Sequence, residues 1–482
     1  MIDKNQFEWD IKTKTEMFPH FWEHTIGSGH ATLALRADWQ KQLKRCHDEL
    51  GFKHVRFHGI LSDDMGTLVD EEDQFVYSFF NADQVMDFLL SAGMRPFVEL
   101  SFMPGALASG KKTVFHYHSN VTPPKDYSKW ETLIFKLVKH WAERYGLDEV
   151  REWFFEVWNE PNLKSFWTGS QKDYFTLYKH TVKAIKKIDK QLRTGGPATA
   201  KNEWIKEFID FCKKEKLPVD FISTHHYPTD AFGKPGDDTE AQLAESKRSV
   251  LQKEAATTKQ EAGNLPVYYT EWSTSSNPFD KLHDQAYASA FITKTIMEAR
   301  GFVKGYSYWT FSDIFEENYF SSKPFHGGFG LLNIYGIPKP AYRAYQLLHD
   351  LGEEIFAQKF SDKTIDAWLI KKENDFQLLI TNSALPEHRV KTETVFLHLK
   401  NFPKKYTGKI QRVDDTHANA YCQWQNMGKP ESLSPKDVRK LEESSALITE
   451  EIDLTFSENM ISFEVEMPPQ GIALITLMMY DK

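Results

Sequence analysis

A (β/α)8 TIM barrel followed by an antiparallel β-sandwich is the fold class this sequence predicts, and three observations predict it. Strand-like apolar runs alternate with helical spacing from about residue 23 to about residue 345. Eight such runs can be placed in that stretch, each followed by a helical segment. After Leu351 the spacing changes to period two, the pattern of strands with one buried face.

The barrel strands are expected at residues 24–26, 53–58, 95–100, 153–158, 193–196, 220–224, 267–270 and 305–311. Good helix formers with period 3.6 fill residues 39–50, 130–145, 172–190, 204–216, 240–259 and 285–300. A doubly wound sheet would want a Gly-rich phosphate turn after its first strand. Gly27-Ser28-Gly29-His30 lacks the third glycine of that turn. The barrel domain is therefore expected over residues 15–345 and the sandwich domain over 346–482. Strands of the sandwich are expected at 365–370, 376–381, 394–399, 410–413, 452–456, 461–465 and 472–478, and the alternating stretch 7–12 within residues 1–14 could complete it. One helix interrupts the second domain, with Ser434 as its cap and Pro435 in its first turn.

Two of the barrel runs end on a glutamate: Phe154-Phe155-Glu156-Val157-Trp158-Asn159-Glu160-Pro161 and Pro266-Val267-Tyr268-Tyr269-Thr270-Glu271-Trp272-Ser273. A glutamate at the C-terminal tip of a barrel strand faces the mouth where active sites are built. Pro161 stops the strand and turns the chain outward there. Two facing carboxyl groups are the usual machinery of glycoside hydrolysis, and Asn159 puts an amide beside the first of them to hold a sugar hydroxyl. A single strand-end glutamate is more often a solvated end. The pair, in a regular βα series, points instead to a retaining glycosidase.

Composition narrows the partners. With 59 basic and 68 acidic residues the net charge is −9, which disfavours nucleic acid and anionic membranes. No run approaches a membrane span, and the polar start Met1-Ile2-Asp3-Lys4-Asn5 lacks a secretory core, so a cytoplasmic location is expected. Cys46, Cys212 and Cys422 are scattered without ligand spacing, arguing against a disulfide framework or a structural zinc. His225-His226 could suggest a metal, but neighbouring strand residues point to opposite faces and no carboxylate completes a ligand set. No cofactor and no metal are expected.

The chain resembles glycoside hydrolase family 39, whose best-known members are bacterial β-xylosidases. The resemblance spans almost the whole chain and rests on Gly27-Ser28-Gly29-His30, Val55-Arg56-Phe57-His58-Gly59, Asn120-Val121-Thr122-Pro123-Pro124-Lys125-Asp126-Tyr127, Val157-Trp158-Asn159-Glu160-Pro161-Asn162-Leu163, Ser223-Thr224-His225-His226-Tyr227-Pro228, Thr270-Glu271-Trp272-Ser273 and Tyr308-Trp309-Thr310-Phe311-Ser312-Asp313. It implies that Glu160 is the general acid/base and Glu271 the nucleophile of a double displacement through a xylosyl-enzyme. His58, His225 and Tyr227 are assigned to sugar contacts and to holding the glutamates, with Tyr227 donating to Glu271. Trp309 matches the aromatic floor under the terminal sugar. Glu317, favoured over Glu316, matches a glutamate that binds sugar hydroxyls. Phe166 and Trp167 are candidates for the leaving-group subsite. Where the family's xylosidases carry a further aromatic, this chain has His116-Tyr117-His118, and Tyr117 is the candidate. The resemblance implies an exo-acting β-xylosidase working on xylo-oligosaccharides, and a homo-oligomer, commonly a tetramer. The alternatives are an α-L-iduronidase-like or β-glucosidase-like enzyme of the same family, or a non-catalytic carbohydrate-binding protein.

Overall fold

The computed structural model describes residues 5–71, 74–231, 238–318, 320–357, 363–402 and 406–479. Residues 1–4, part of the polar start considered above, lie outside them.

Eight strands close into a barrel: Thr25–His30, His54–His58, Arg95–Leu100, Phe154–Val157, Arg193–Thr199, Phe221–His225, Val267–Trp272 and Gly305–Tyr308. Neighbours pair in parallel all the way round. Both faces of each strand are covered, one by helices and one by the barrel interior, so the strands read as continuous apolar runs. The covering helices form where expected, with one exception. The segment at 240–259 is two helices, Thr239–Glu245 and Val250–Ala262, broken at Ser246, whose backbone is extended. Nothing in its run of helix formers marks the break; Arg248 occupies it, bonded to Asp366 of the second domain.

Local chemistry supports the helices that flank the mouth. Ser170 and Asp173 make a reciprocal capping box ahead of Gln171–Ile188, satisfying donors that the first turn would leave orphaned. In barrel strand 1, a Cβ on Gly27 would stand 2.6 Å from the Trp309 ring and 2.9 Å from the Tyr308 carbonyl. Only glycine lets strand 1 pass that close beneath the tryptophan.

The second domain has a seven-stranded and a four-stranded sheet. Their inner faces share one apolar core that includes Trp9, Leu369, Leu378, Leu397, Ile461 and Ile475. Two details differ from the expectation. Two helices are present, Ala420–Asn426 as well as the expected Pro435–Ser445, the latter with a Ser434–Asp437 capping box. One pairing is parallel: the strand Gln6–Asp10 lies beside Glu393–Lys400. A second early strand, Thr15–Met17, pairs antiparallel with Glu354–Phe356. The seven-stranded sheet packs on the barrel helix Ala286–Ala299 through residues such as Trp368, Leu379 and Leu474, which join the main core.

Candidate active site

The barrel interior beneath the mouth is built around one cation. Arg56, in the middle of strand 2 and fully buried, donates to Glu156 (2.6 Å), Glu271 (2.7 Å) and Asn159 Oδ1 (2.9 Å) and pairs with Glu99 (2.8 Å). Burial alone would discourage its charge, but Glu156, Glu99 and Glu271 outweigh that and push its pKa above the ordinary value. Because a guanidinium only donates, its bond fixes the Asn159 side chain with oxygen inward and leaves the amide nitrogen facing the pocket.

Glu271 is the last residue but one of strand 7. Its Oε1 takes the Arg56 bond, and its Oε2 accepts from the Tyr227 hydroxyl at 3.0 Å. His58 Nε2 stands 3.8 Å away. His58 is itself a cation. Burial opposes its charge, yet Glu99 at 2.7 Å and Glu317 at 3.2 Å raise its pKa to about 10.

Glu160 follows strand 4 in a strained backbone, with φ of +43° there and +71° at Trp158. Its amide is tied to the Ala198 carbonyl near the end of strand 5 at 2.8 Å. Burial pushes its carboxyl up to about 7, with Arg56 and His58 limiting the rise. The partner of its Oε1 is His225 Nδ1 at 3.0 Å. Burial lowers His225 to about 4, so the ring is neutral and carries one proton. Thr270 donates its hydroxyl to Glu156 and therefore accepts from His225 Nε2 at 3.1 Å. That leaves Nδ1 bare, an acceptor that matches a protonated Glu160 and opposes an ionised one.

One oxygen each of Glu160 and Glu271 and a ring nitrogen of His225 lie within 4.8 Å of one another. The expectation that no carboxylate completes a ligand set with His225 is corrected here: Glu160 and Glu271 reach it from strands 4 and 7, far away in sequence. A dication there would meet the Arg56 guanidinium, which already supplies the positive charge Glu271 needs.

The two glutamates line a cavity of about 290 Å3 with His58, Asn159, Phe166, Tyr227, Trp309 and Glu317. His225 is buried beneath it. Glu316 turns away to His30, at 2.7 Å. Two expectations change. Trp167 is wholly buried, its indole donating to Ser170 and its ring edge-on to Trp158, so only Phe166 reaches the cavity. Tyr117 stacks on His30 with centroids 3.7 Å apart instead of lining the pocket. A larger cleft of about 660 Å3 at the junction of the two domains is lined by Glu49, His349 and Lys409 among others.

Arg56, Glu99 and Glu156 were not singled out from the sequence. A signal existed: each is a charged residue in the middle of an apolar barrel run, and buried charges come paired.

A closed parallel barrel that brings two buried glutamates face to face at the ends of strands 4 and 7 is the architecture of a glycoside hydrolase. The chain belongs to glycosyl hydrolases family 39, whose model matches residues 7–456. It is 49% identical over 463 residues to a β-xylosidase of Caldicellulosiruptor saccharolyticus, covering 95% of each chain. It is 36% identical over 479 residues to a β-xylosidase of Geobacillus stearothermophilus, covering 96% of this chain and 93% of that one. The structure of a monomeric β-xylosidase from Caulobacter crescentus CB15 superposes with a TM-score of 0.86 at 32% identity, covering 99% of this chain and 100% of the other. No helix among the described residues is long and apolar enough to cross a membrane.

Proposed function

We propose that the protein is a retaining exo-β-xylosidase that removes terminal β-xylose from short xylo-oligosaccharides. The observation that carries the reading is the facing pair: oxygens of Glu160 and Glu271 within 4.8 Å of each other, one carboxyl pushed up to about 7 and the other ringed by donors. That approach favours the retaining separation of about 5–5.5 Å over the inverting range of about 6.5–9.5 Å, which leaves room for a water. The similarity to two β-xylosidases supports xylose as the sugar.

In the first step Glu271 attacks the anomeric carbon while Glu160 gives its proton to the departing oxygen. Asn159, through its free amide nitrogen, and Glu317, held by His58, would bond sugar hydroxyls, with Trp309 beneath the ring. Glu160, now ionised, then takes a proton from water, which displaces Glu271 and restores the β configuration. Loss of the leaving group removes the demand for a proton at just the stage when the base is needed, so one residue serves both steps. A cytoplasmic enzyme would meet short imported oligomers, which suits a pocket over an open groove. The tetramer implied by resemblance stands against a similar enzyme described as monomeric; light scattering on the purified protein decides it.

The test is proton NMR of an aryl β-xyloside during the first minutes of hydrolysis. β-Xylose should appear first and mutarotate afterwards. Initial α-xylose would overturn the retaining reading, and turnover of other glycosides without xylosides would overturn the sugar.

A further inference from the structure

The rim of the pocket beside Glu160 carries a cation that neither the proton transfers nor the terminal-sugar contacts use. Lys201 lines the cavity from the loop after strand 5, and its side chain is exposed to solvent. Among the described residues it makes no ion pair within 4.0 Å. An exposed lysine is ordinarily just solvated. This one is held in place by unusual means. Ala198, Lys201, Asn202 and Trp204 all have left-handed backbones, with φ of 54°, 62°, 57° and 64°, a conformation uncommon for any residue but glycine.

Asn162 laces that loop to the acid's own segment. Its side chain donates to the Ala200 carbonyl at 3.0 Å and accepts from the Ala200 amide at 3.0 Å, while the Glu160 amide bonds Ala198. Strain held by cross-bonds from the catalytic loop marks a segment whose shape serves the site.

The position says which sugar it would meet. His58, from strand 2, with Trp309 and Glu317, which follow strand 8, forms the wall beside Glu271 where the terminal xylose sits in the proposed function. Leu163, Ala200 and Lys201 form the wall beside Glu160, which must reach the departing oxygen. Asp230 shares this wall but is turned inward, accepting the Tyr227 amide at 2.9 Å, and burial pushes its carboxyl up to about 7. It offers little repulsion to an anion below that pH.

We infer that Lys201 forms a cationic subsite on the leaving-group side, and that the enzyme favours leaving groups bearing a carboxylate, such as a sugar substituted with a uronic acid. This rests on the proposed function.

The experiment compares two leaving groups of one shape, 4-carboxyphenyl and 4-carbamoylphenyl β-xyloside, in the native enzyme, K201M and K201E. Lys201 also lowers the Glu160 pKa slightly, but that acts on both substrates and cancels in the ratio of their kcat/KM values. K201M should lower the carboxylate-to-carboxamide ratio by about 2- to 5-fold at low salt, the range of an exposed ion pair, and K201E should lower it further. The native ratio should fall as salt rises. Xylosyl oligosaccharides with and without a uronic acid next to the terminal xylose extend the same ratio to sugars. An unchanged ratio in K201M, or equal losses on both substrates, overturns the subsite and leaves the xylosidase reading intact. No turnover of either xyloside by the native enzyme overturns that reading and the subsite with it.

Discussion

The two ends of the barrel interior use the same strands for opposite purposes. At the bottom, Phe97, Phe154 and Phe221 pack with Tyr268, the first two rings stacked at 5.0 Å, while His24 lies on His54 at 4.5 Å. Burial pushes both histidines below their ordinary pKa, His54 to about 4, so both rings are neutral. Two residues further along the strands stand Arg56, Glu99, Glu156 and Thr270, and two residues beyond Arg56 stands His58. Inward positions recur with period two, so a strand of six residues can carry a plug, a charge network and a pocket wall in succession. The lesson is a division of labour: the lower layer holds the barrel shut, and the layers above it spend that stability on buried charge.

Substitutions at each end should break different things. Replacing Glu271 by Ala should have the largest effect, about 10^4-fold or more in kcat on every xyloside, because no glycosyl-enzyme forms without the nucleophile. Its melting temperature should change little by comparison, and a residual rate within tenfold of native would remove Glu271 from the role. Replacing Phe154 by Ala should do the reverse. Loss of a buried ring costs about 3–5 kcal/mol of stability, read as a lower urea midpoint, while kcat of the folded enzyme stays near native. A loss of kcat without a loss of stability would mean that the two ends are not separable.

The smallest effect concerns the proton on Glu160. Its pKa in the folded protein is about 7 against 4.5 for an unperturbed glutamate. Between those values the native state binds more protons than the unfolded chain, so stability contributed by the neutral acid is complete below about pH 4.5. It is lost as pH rises towards 7, by up to about 3 kcal/mol. Glu160→Gln keeps the donor to His225 and cannot ionise. Its urea midpoint should therefore match the native protein at pH 4 and exceed it at pH 8. The native kcat/KM should fall above about pH 7 as the acid loses its proton. Equal midpoints at both pH values would mean that burial does not hold the proton there.

Much of the barrel could be read in advance because its strands are short apolar runs with a fixed place in an alternating series, and the tips at Glu160, Tyr227, Glu271 and Trp309 carry residues that a buried strand would not otherwise end on. What escaped was whatever depends on distant partners. Arg56 looks like an isolated charge until Glu99, Glu156 and Glu271 arrive from three other strands. The break at Ser246 has no proline or glycine to announce it, and the Arg248–Asp366 ion pair beside it joins residues far apart in sequence. Trp167 and Phe166 are neighbours of like composition, and only the turn between them decides which one faces the core. Lys201 gives no sign at all in sequence, since its loop is shaped by Asn162 from the loop before it.

The early strand Gln6–Asp10 finds its neighbour about 390 residues further on, at Glu393–Lys400. On a ribosome adding about 5–20 residues per second, that segment waits roughly 20–80 s for its partner. The intervening barrel can close in that interval, whereas Trp9 stays uncovered until the last sheet is synthesised. Translation thus assembles the hydrolytic half of the molecule first and seals it at both ends of the chain last.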